Sequence, residues 1–333
     1  MCVIISKRLP GKLDPDIAAR AVLFNPHGFG IMLLDTGEVI KTMDITEAYE
    51  WLATERPFVF HARLRTAGKI NKDNVHPIMI NERSYLFHNG TVQTPRGWDK
   101  TASDSRFVAE TLRSTPSRNW RNILTMTDSR FLWTHKGKDG LIKAMISGKW
   151  HVNEKTFFSK DNVLSGNFVA VYGTLRSGYG NSHLLSHAKR LDKGHTVDKL
   201  RMTCQGIPYV LSGASEEGYH VIVEVYNVAD EDMHDLDRLE GHPNWYQRRK
   251  TKVRLDCGVE VEAWLYYNDS YDDGVYYEDY QMYRQPEAPI THNTDLPDPF
   301  TDDIIWDAEE QKYFNLDTQE YIEQDPNQLK MWE

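Results

Sequence analysis

Apolar residues gather at Val3–Ser6, and again at Gly30–Leu34 and Glu38–Thr42 on either side of Asp35-Thr36-Gly37. That spacing predicts a short strand and then a hairpin. Between them, Asn25–Gly30 is rich in turn residues. Ile45–Arg56 carries helical spacing, with Asp44 or Thr46 to cap it and Pro57 to follow it. A second helix is expected to start at Ser103 or Asp104 and run through Phe107, Val108 and Leu112. Arg130–Ser159 alternates enough for several strands, interrupted at Gly137–Gly140 and Ser147-Gly148. Strands enclosing helices predict a layered α+β domain.

Asp161–Asn167 reads as a joint. Beyond it the pattern restarts with a strand running into a Gly-containing turn at Phe168–Leu175. A helix is expected at Asn181–Leu191, strands at Tyr219–Val228, an acidic helix at Asp230–Leu239, and a strand pair at Lys250–Leu255 and Val259–Tyr267. The second half repeats nothing of the first, so two unlike domains are expected, over residues 1–165 and 166–284. From Pro286 the chain turns acidic and Pro-rich. Aromatic segments at Ile304–Trp306 and Tyr313–Asn315 then predict a small hairpin within a C-terminal extension, 285–333.

The chain of 333 residues is 40% apolar and 26% charged, enough for sizeable cores in two domains. No apolar run approaches membrane-spanning length, and the N-terminus lacks the pattern of a secretory leader, so a soluble cytoplasmic protein is expected. The three cysteines, Cys2, Cys204 and Cys257, form no even framework and no metal-ligand spacing, as suits a reducing compartment. A net charge of −10 disfavours a general nucleic-acid surface. Small-molecule substrates are the expected partners, with no metal and no cofactor.

The stretch Phe60–Gly90 sets polar residues at the ends of two short apolar runs, where strands pass into loops and a small zwitterion could bind. Far from it in sequence, Cys2 would carry its own α-amine once Met1 is removed. Taken alone, Arg63 reads as a surface or ion-paired residue, and Asp104 as a helix N-cap. Taken together, Met1-Cys2, His61-x-Arg63-x-x-Thr66-x-Gly68, Asn74-x-His76-Pro77, His88-Asn89-Gly90 and Ser103-Asp104-Ser105 follow one order and spacing. This first half resembles the class II glutamine amidotransferases.

The resemblance implies an αββα layered sandwich of the N-terminal-nucleophile hydrolase type. It makes Cys2 the nucleophile, activated by its own amine, whose reference pKa of about 8 is close to the thiol's at about 8.5. Arg63 would pair with the substrate α-carboxylate and Asp104 with its α-ammonium. Asn89 and the Gly90 N–H would stabilise the oxyanion, and Thr66 and His76 belong to the substrate-binding blocks. The chemistry needs no imidazole, so His61, His76 and His88 are read mainly as scaffold.

In the second half, Phe168–Leu175, Gly178 and Asn181, then Leu236-Asp237-Arg238-Leu239-Glu240-Gly241-x-Pro243 with Tyr246-x-Arg248, resemble the γ-glutamylcyclotransferase family, especially its γ-glutamylamine branch. This resemblance implies a small β-barrel with flanking helices that releases 5-oxoproline. Glu240 would be the base, and the turn of Tyr172, Gly173, Thr174 and Leu175 would offer backbone N–H groups to the substrate. On residue type alone Glu224 and Glu262 rival Glu240. Both are expected in strands, at period-2 positions facing solvent.

The expected activity is bifunctional γ-glutamyl chemistry: glutamine amide hydrolysis or transfer through a Cys2 thioester, and cyclisation of a γ-glutamylamine through Glu240. Glutamine and γ-glutamylamines are the expected substrates, and an ammonia-accepting enzyme the expected partner. A γ-glutamyl transferase acting on an amine and a catalytically silent binding module stay open as alternatives.

Overall fold

The computed structural model describes residues 2–283 and, beyond them, the strand segments 304–307, 312–315 and 320–322. The first half is built from strands β1 (Val3–Lys7), β2 (Phe29–Leu33), β3 (Val39–Thr42) and β4 (Phe58–Ala62), then β5 (Ile78–Asn81), β6 (Ser84–Asn89), β7 (Arg130–Lys136) and β8 (Ile142–Ser147), and finally β9 (His151–Asn153) and β10 (Thr156–Phe158). They form two sheets, ordered β3-β2-β4-β1-β10-β9 and β5-β6-β7-β8. Alternation along each strand decides what lies on either side. Ile4, Met32 and Val59 of the first sheet meet Phe87 and Leu132 of the second.

Opposite faces of the sheets carry helices. Val3, Ile5, Phe29, Ile31, Phe58 and Phe60 pack with α1 (Pro15–Leu23) and α2 (Ile45–Leu52). Ile80, Leu86, Phe131 and Trp133 pack with α3 (Asp104–Arg113) and α4 (Trp120–Leu124). The layers therefore run helix, sheet, sheet, helix.

Helix α1 is not among the elements expected from the sequence, although its start signals are present: Pro15 opens it and Asp14 accepts from the Asp16 and Ile17 amides at 2.8 and 3.1 Å. Seven consecutive residues, Ile17–Leu23, are buried. The helix lies between the first sheet and the second half of the chain, which together cover nearly all of it.

Residues 159–166 lead into β11 (Asn167–Val171), β12 (Lys189–Thr196), β13 (Leu200–Gln205), β14 (Ile207–Ala214), β15 (Ile222–Val228), β16 (Gln247–Leu255) and β17 (Glu260–Tyr267). Five of these close a barrel in the order β11-β15-β12-β16-β17, and β13 and β14 form a hairpin beside it. The helix expected at Asn181–Leu191 is not there. A single 3-10 turn, Ser182–Leu185, is followed three residues later by β12. Its leucines show helical spacing over too short a run to separate helix from strand, and pairing with β15 and β16 decides the outcome.

Helix α5 (Asp230–Glu240) joins Met233 and Leu236 to Val169, Val171, Tyr226 and Val228 on the barrel's outer face. Acidic Asp230, Glu231 and Asp232 occupy its first turn, and Gly241, at φ 61°, ends it. The short helix α6 (Tyr280–Tyr283) follows, and β18 (Ile304–Asp307), β19 (Lys312–Asn315) and β20 (Glu320–Ile322) pair as an antiparallel meander. Among the described residues no helix is long and apolar enough to cross a membrane.

Candidate active sites

The first cluster lies where β1 begins and β4 and β6 end. Cys2 shares the parity of Ile4 and so belongs to the face of β1 turned toward the second sheet. Leu64 approaches its sulfur twice, with the carbonyl at 3.5 Å and the amide at 3.4 Å. Burial pushes the thiol pKa up, the Leu64 contact and the Arg63 guanidinium pull it down, and the Asp104 carboxylate pushes it up, so all three side chains share one electrostatic neighbourhood. Arg63 is 3% exposed, and burial lowers its pKa to about 10. Its guanidinium donates to the Lys69 carbonyl at 2.8 Å and the Ala67 carbonyl at 2.7 Å, while Thr66 stands exposed on the same loop. Asn74 fastens this loop, donating to the Lys69 and Thr101 carbonyls and accepting from the Ser103 amide.

Asp104 opens α3, and its carboxylate accepts from the Val92 and Ser105 amides, both at 2.8 Å. Asn89 is 1% exposed. Its amide nitrogen lies 2.9 Å from the Ser159 hydroxyl, and its amide oxygen has no partner among the described residues. Ser159 Oγ also accepts from the Ile4 amide at 2.8 Å and so ties Asn89 to the strand that carries Cys2. The sequence offered no sign of Ser159. Gly90, at φ 150°, lies so close to Ser129 that an added Cβ would fall 2.3 Å from its hydroxyl.

Behind this cluster stand three buried histidines. His61 and His76 rings lie 4.0 Å apart, His61 Nε2 faces the His88 carbonyl at 3.2 Å, and His88 Nδ1 faces the Ser105 hydroxyl at 2.9 Å. Burial lowers all three pKa values, that of His61 to about 3. Among the described residues no group of three histidine, cysteine, aspartate or glutamate side chains is arranged to hold a metal ion.

The second cluster is a cavity of about 230 Å³ between β11, the β13–β14 hairpin and the end of α5. Tyr172, Gly173, Thr174 and Leu175 line one side, with Glu240, Leu239, Trp245 and Tyr246 on another. The Gly241 terminus fixes Glu240 as the last residue of its helix. Burial alone pushes the Glu240 carboxyl up to about 7, and among the described residues nothing pairs with it. Tyr172 is 6% exposed and donates to the Tyr266 carbonyl at 2.8 Å, which fixes the start of the turn. A Cβ on Gly173 would lie 2.5 Å from Pro208, so the turn packs against β14. Asn181 donates to the Thr174 hydroxyl at 2.9 Å and closes the far end of the loop.

Glu262 is exposed, as expected, but Glu224 is not. Only 3% exposed, Glu224 accepts from the Ser177 amide and the Tyr226 hydroxyl at 2.9 Å and faces Arg190 at 3.3 Å. Period-2 alternation fails as a guide to solvent here, because the loop after Leu175 folds back over β15. Its carboxylate is committed to holding that loop. Cys204 and Cys257 are raised to about 12 and about 11 by burial, as packed thiols are.

Comparison with known proteins adds the family of this second half. A γ-glutamyl cyclotransferase, AIG2-like, family model matches residues 169–285. A candidate γ-glutamylcyclotransferase of Methanocaldococcus jannaschii is 42% identical over 119 residues, which is 35% of this chain and 98% of that protein. This chain belongs to the γ-glutamyl cyclotransferase, AIG2-like, family. Within the same family, a γ-glutamylaminecyclotransferase of Rattus norvegicus is 27% identical over 140 residues, covering 36% of this chain and 91% of the relative. The crystal structure of an AIG2-like protein of Mus musculus aligns at a TM-score of 0.32 with 28% identity, over 34% of this chain and 88% of that one. Cyclotransferase similarity thus lies on the barrel half, and the cavity at Glu240 falls within the matched residues.

Proposed function

We propose that the barrel half cyclises γ-glutamylamines to 5-oxoproline and free amine, with Glu240 as its proton carrier. The observation carrying this reading is the unpaired, half-buried Glu240 carboxyl, raised to about 7, facing the Tyr172–Leu175 turn across one cavity. The substrate α-ammonium gives a proton to the carboxylate, and the freed amine attacks the γ-carbonyl carbon of the same molecule. Ring closure is intramolecular and needs no protein nucleophile. The negative oxygen that forms is held by backbone N–H groups of the turn. When the C–N bond to the leaving amine breaks, the Glu240 carboxyl returns the proton to that nitrogen, and the carboxylate then takes the second proton that the ring nitrogen sheds. Incubating purified protein with a γ-glutamylalkylamine should give 5-oxoproline and amine in equal amounts. A substrate left unchanged would count against the reading.

A second activity is favoured by a separate observation: Cys2, Arg63 and Asp104 act electrostatically on one another at the edge of a helix-sheet-sheet-helix sandwich, with Asn89 tied to the Cys2 strand through Ser159. With Met1 removed, the α-amine of Cys2 takes the thiol proton and the sulfur attacks the γ-amide of glutamine. Ammonia leaves, and water then releases glutamate from the thioester. Arg63 and Asp104 would hold the α-carboxylate and α-ammonium, and Asn89 with Gly90 the oxyanion. Asn89 is suited to that role if its amide is turned over: Ser159 then donates to the amide oxygen and the NH₂ is free for the oxyanion. Mass spectrometry after incubation with a glutamine-mimicking electrophile reads Met1 removal and Cys2 labelling together. A retained Met1 with an unlabelled Cys2 would reject this half.

A further inference from the structure

The Glu240 cavity is lopsided in its chemistry. On the side of the Tyr172–Leu175 turn it offers backbone amides and the Thr174 and Asn181 side chains, the groups that suit a glutamyl head. On the side of α5 it opens over Leu239, 36% exposed, and Trp245, 50% exposed. These rank among the large apolar side chains most exposed to solvent. The Trp245 ring is braced, meeting Tyr246 edge-on at 5.3 Å, and Gly241 lies close enough that an added Cβ would be 3.2 Å from Trp245 Cβ. No lysine, arginine or histidine lines the cavity among the described residues, and Glu240 is its acidic side chain.

In ring closure the proton carrier must reach both the attacking nitrogen and the leaving nitrogen. The substituent on the leaving nitrogen therefore emerges beside Glu240, where the neighbouring residue in sequence is Leu239 and the wall is Trp245. We infer that this apolar rim receives the hydrocarbon chain of the leaving amine, and that Trp245 selects γ-glutamyl derivatives of long, uncharged alkyl or aryl amines. The inference rests on the cyclotransferase reading of Glu240 and adds to it the identity of the leaving group. A braced aromatic at an open mouth covers one side of a bound chain and leaves the other in water. Each methylene then gains about half of the ~0.8 kcal/mol of full burial, or about twofold.

The test is a series of γ-glutamylamides, methyl to hexyl, together with the 5-aminopentyl analogue that ends in an ammonium. Release of 5-oxoproline by the full-length protein is followed for wild type, W245A and W245F. In wild type, kcat/KM should rise roughly 30-fold from methylamide to hexylamide. The aminopentyl compound should lose most of that gain. W245A should reduce the hexyl-to-methyl ratio to below about threefold, and W245F should retain most of it. Ratios within each variant remove any effect of partial misfolding. A flat series in wild type, an aminopentyl compound better than hexyl, or an unchanged ratio in W245A would overturn the inference while leaving the reaction standing. Absence of 5-oxoproline from every substrate would overturn the reaction and the inference together.

Discussion

Replacing the Glu240 carboxyl by an amide of the same shape, as in E240Q, should lower 5-oxoproline release by about 10²–10⁴-fold, the usual weight of a general base. Because burial sets that carboxyl at about 7, wild-type kcat/KM should fall about tenfold per pH unit below 7 and level off above it. A profile still level at pH 5 would mean that another group carries the proton. In the other half, N89A should cost glutamine hydrolysis about 10²–10³-fold, as loss of one oxyanion donor does. Cys2, Arg63, Asp104, Asn89 and Glu240 all stood out in sequence because each sits in a block of fixed spacing. Ser159 and Trp245 did not, and Glu224 stood out only as a solvent-facing rival base, since the work of all three depends on what folds against them. Ser159 reaches Asn89 across 70 positions, and Glu224 reaches Ser177 across 47.

The turn after β11 and the histidine layer show how whole elements support the sites. Gly173 has no room for a methyl group, so G173A should push the turn off β14, lower cyclotransferase activity and cost about 1–3 kcal/mol in a denaturant titration. His61, His76 and His88 are held neutral by burial, with folded pKa values below the unfolded value of about 6.5. The unfolded chain therefore binds more protons, and this contribution to stability is present above about pH 6.5 and is lost as pH falls toward 3. Protection factors in β4 and β6, taken relative to the slower intrinsic exchange at low pH, should fall over that range, and protection unchanged from pH 7 to pH 4 would contradict it. Elements exposed on one face, such as α2, α3 and α5, were legible from their periodicity. Helix α1 was missed although Asp14 and Pro15 mark its start, because it is only nine residues long, and the turn at Ser182–Leu185 was not legible either, because its apolar run is too short to announce either helix or strand.

At the scale of the molecule, two unlike halves meet along a shared apolar cluster running from the first sheet and α1 into the barrel. Polar ties reinforce the junction: Arg20 donates to the Val163 and Gly166 carbonyls at 2.7 and 3.2 Å, and Thr46 to the Cys257 carbonyl at 3.0 Å. R20A should leave those carbonyls short of partners, cost about 1–3 kcal/mol, and split a single calorimetric transition into two. Both halves are read as recognising a glutamyl head, one breaking its amide with a thiol and the other with the substrate's own amine. The most direct test of that account is a paired assay on C2A and E240Q, with Met1 processing confirmed, following ammonia from glutamine and 5-oxoproline from γ-glutamylhexylamide. C2A should lose ammonia and keep 5-oxoproline, and E240Q should do the reverse. Both products surviving in both variants, or both lost in either one, would contradict it.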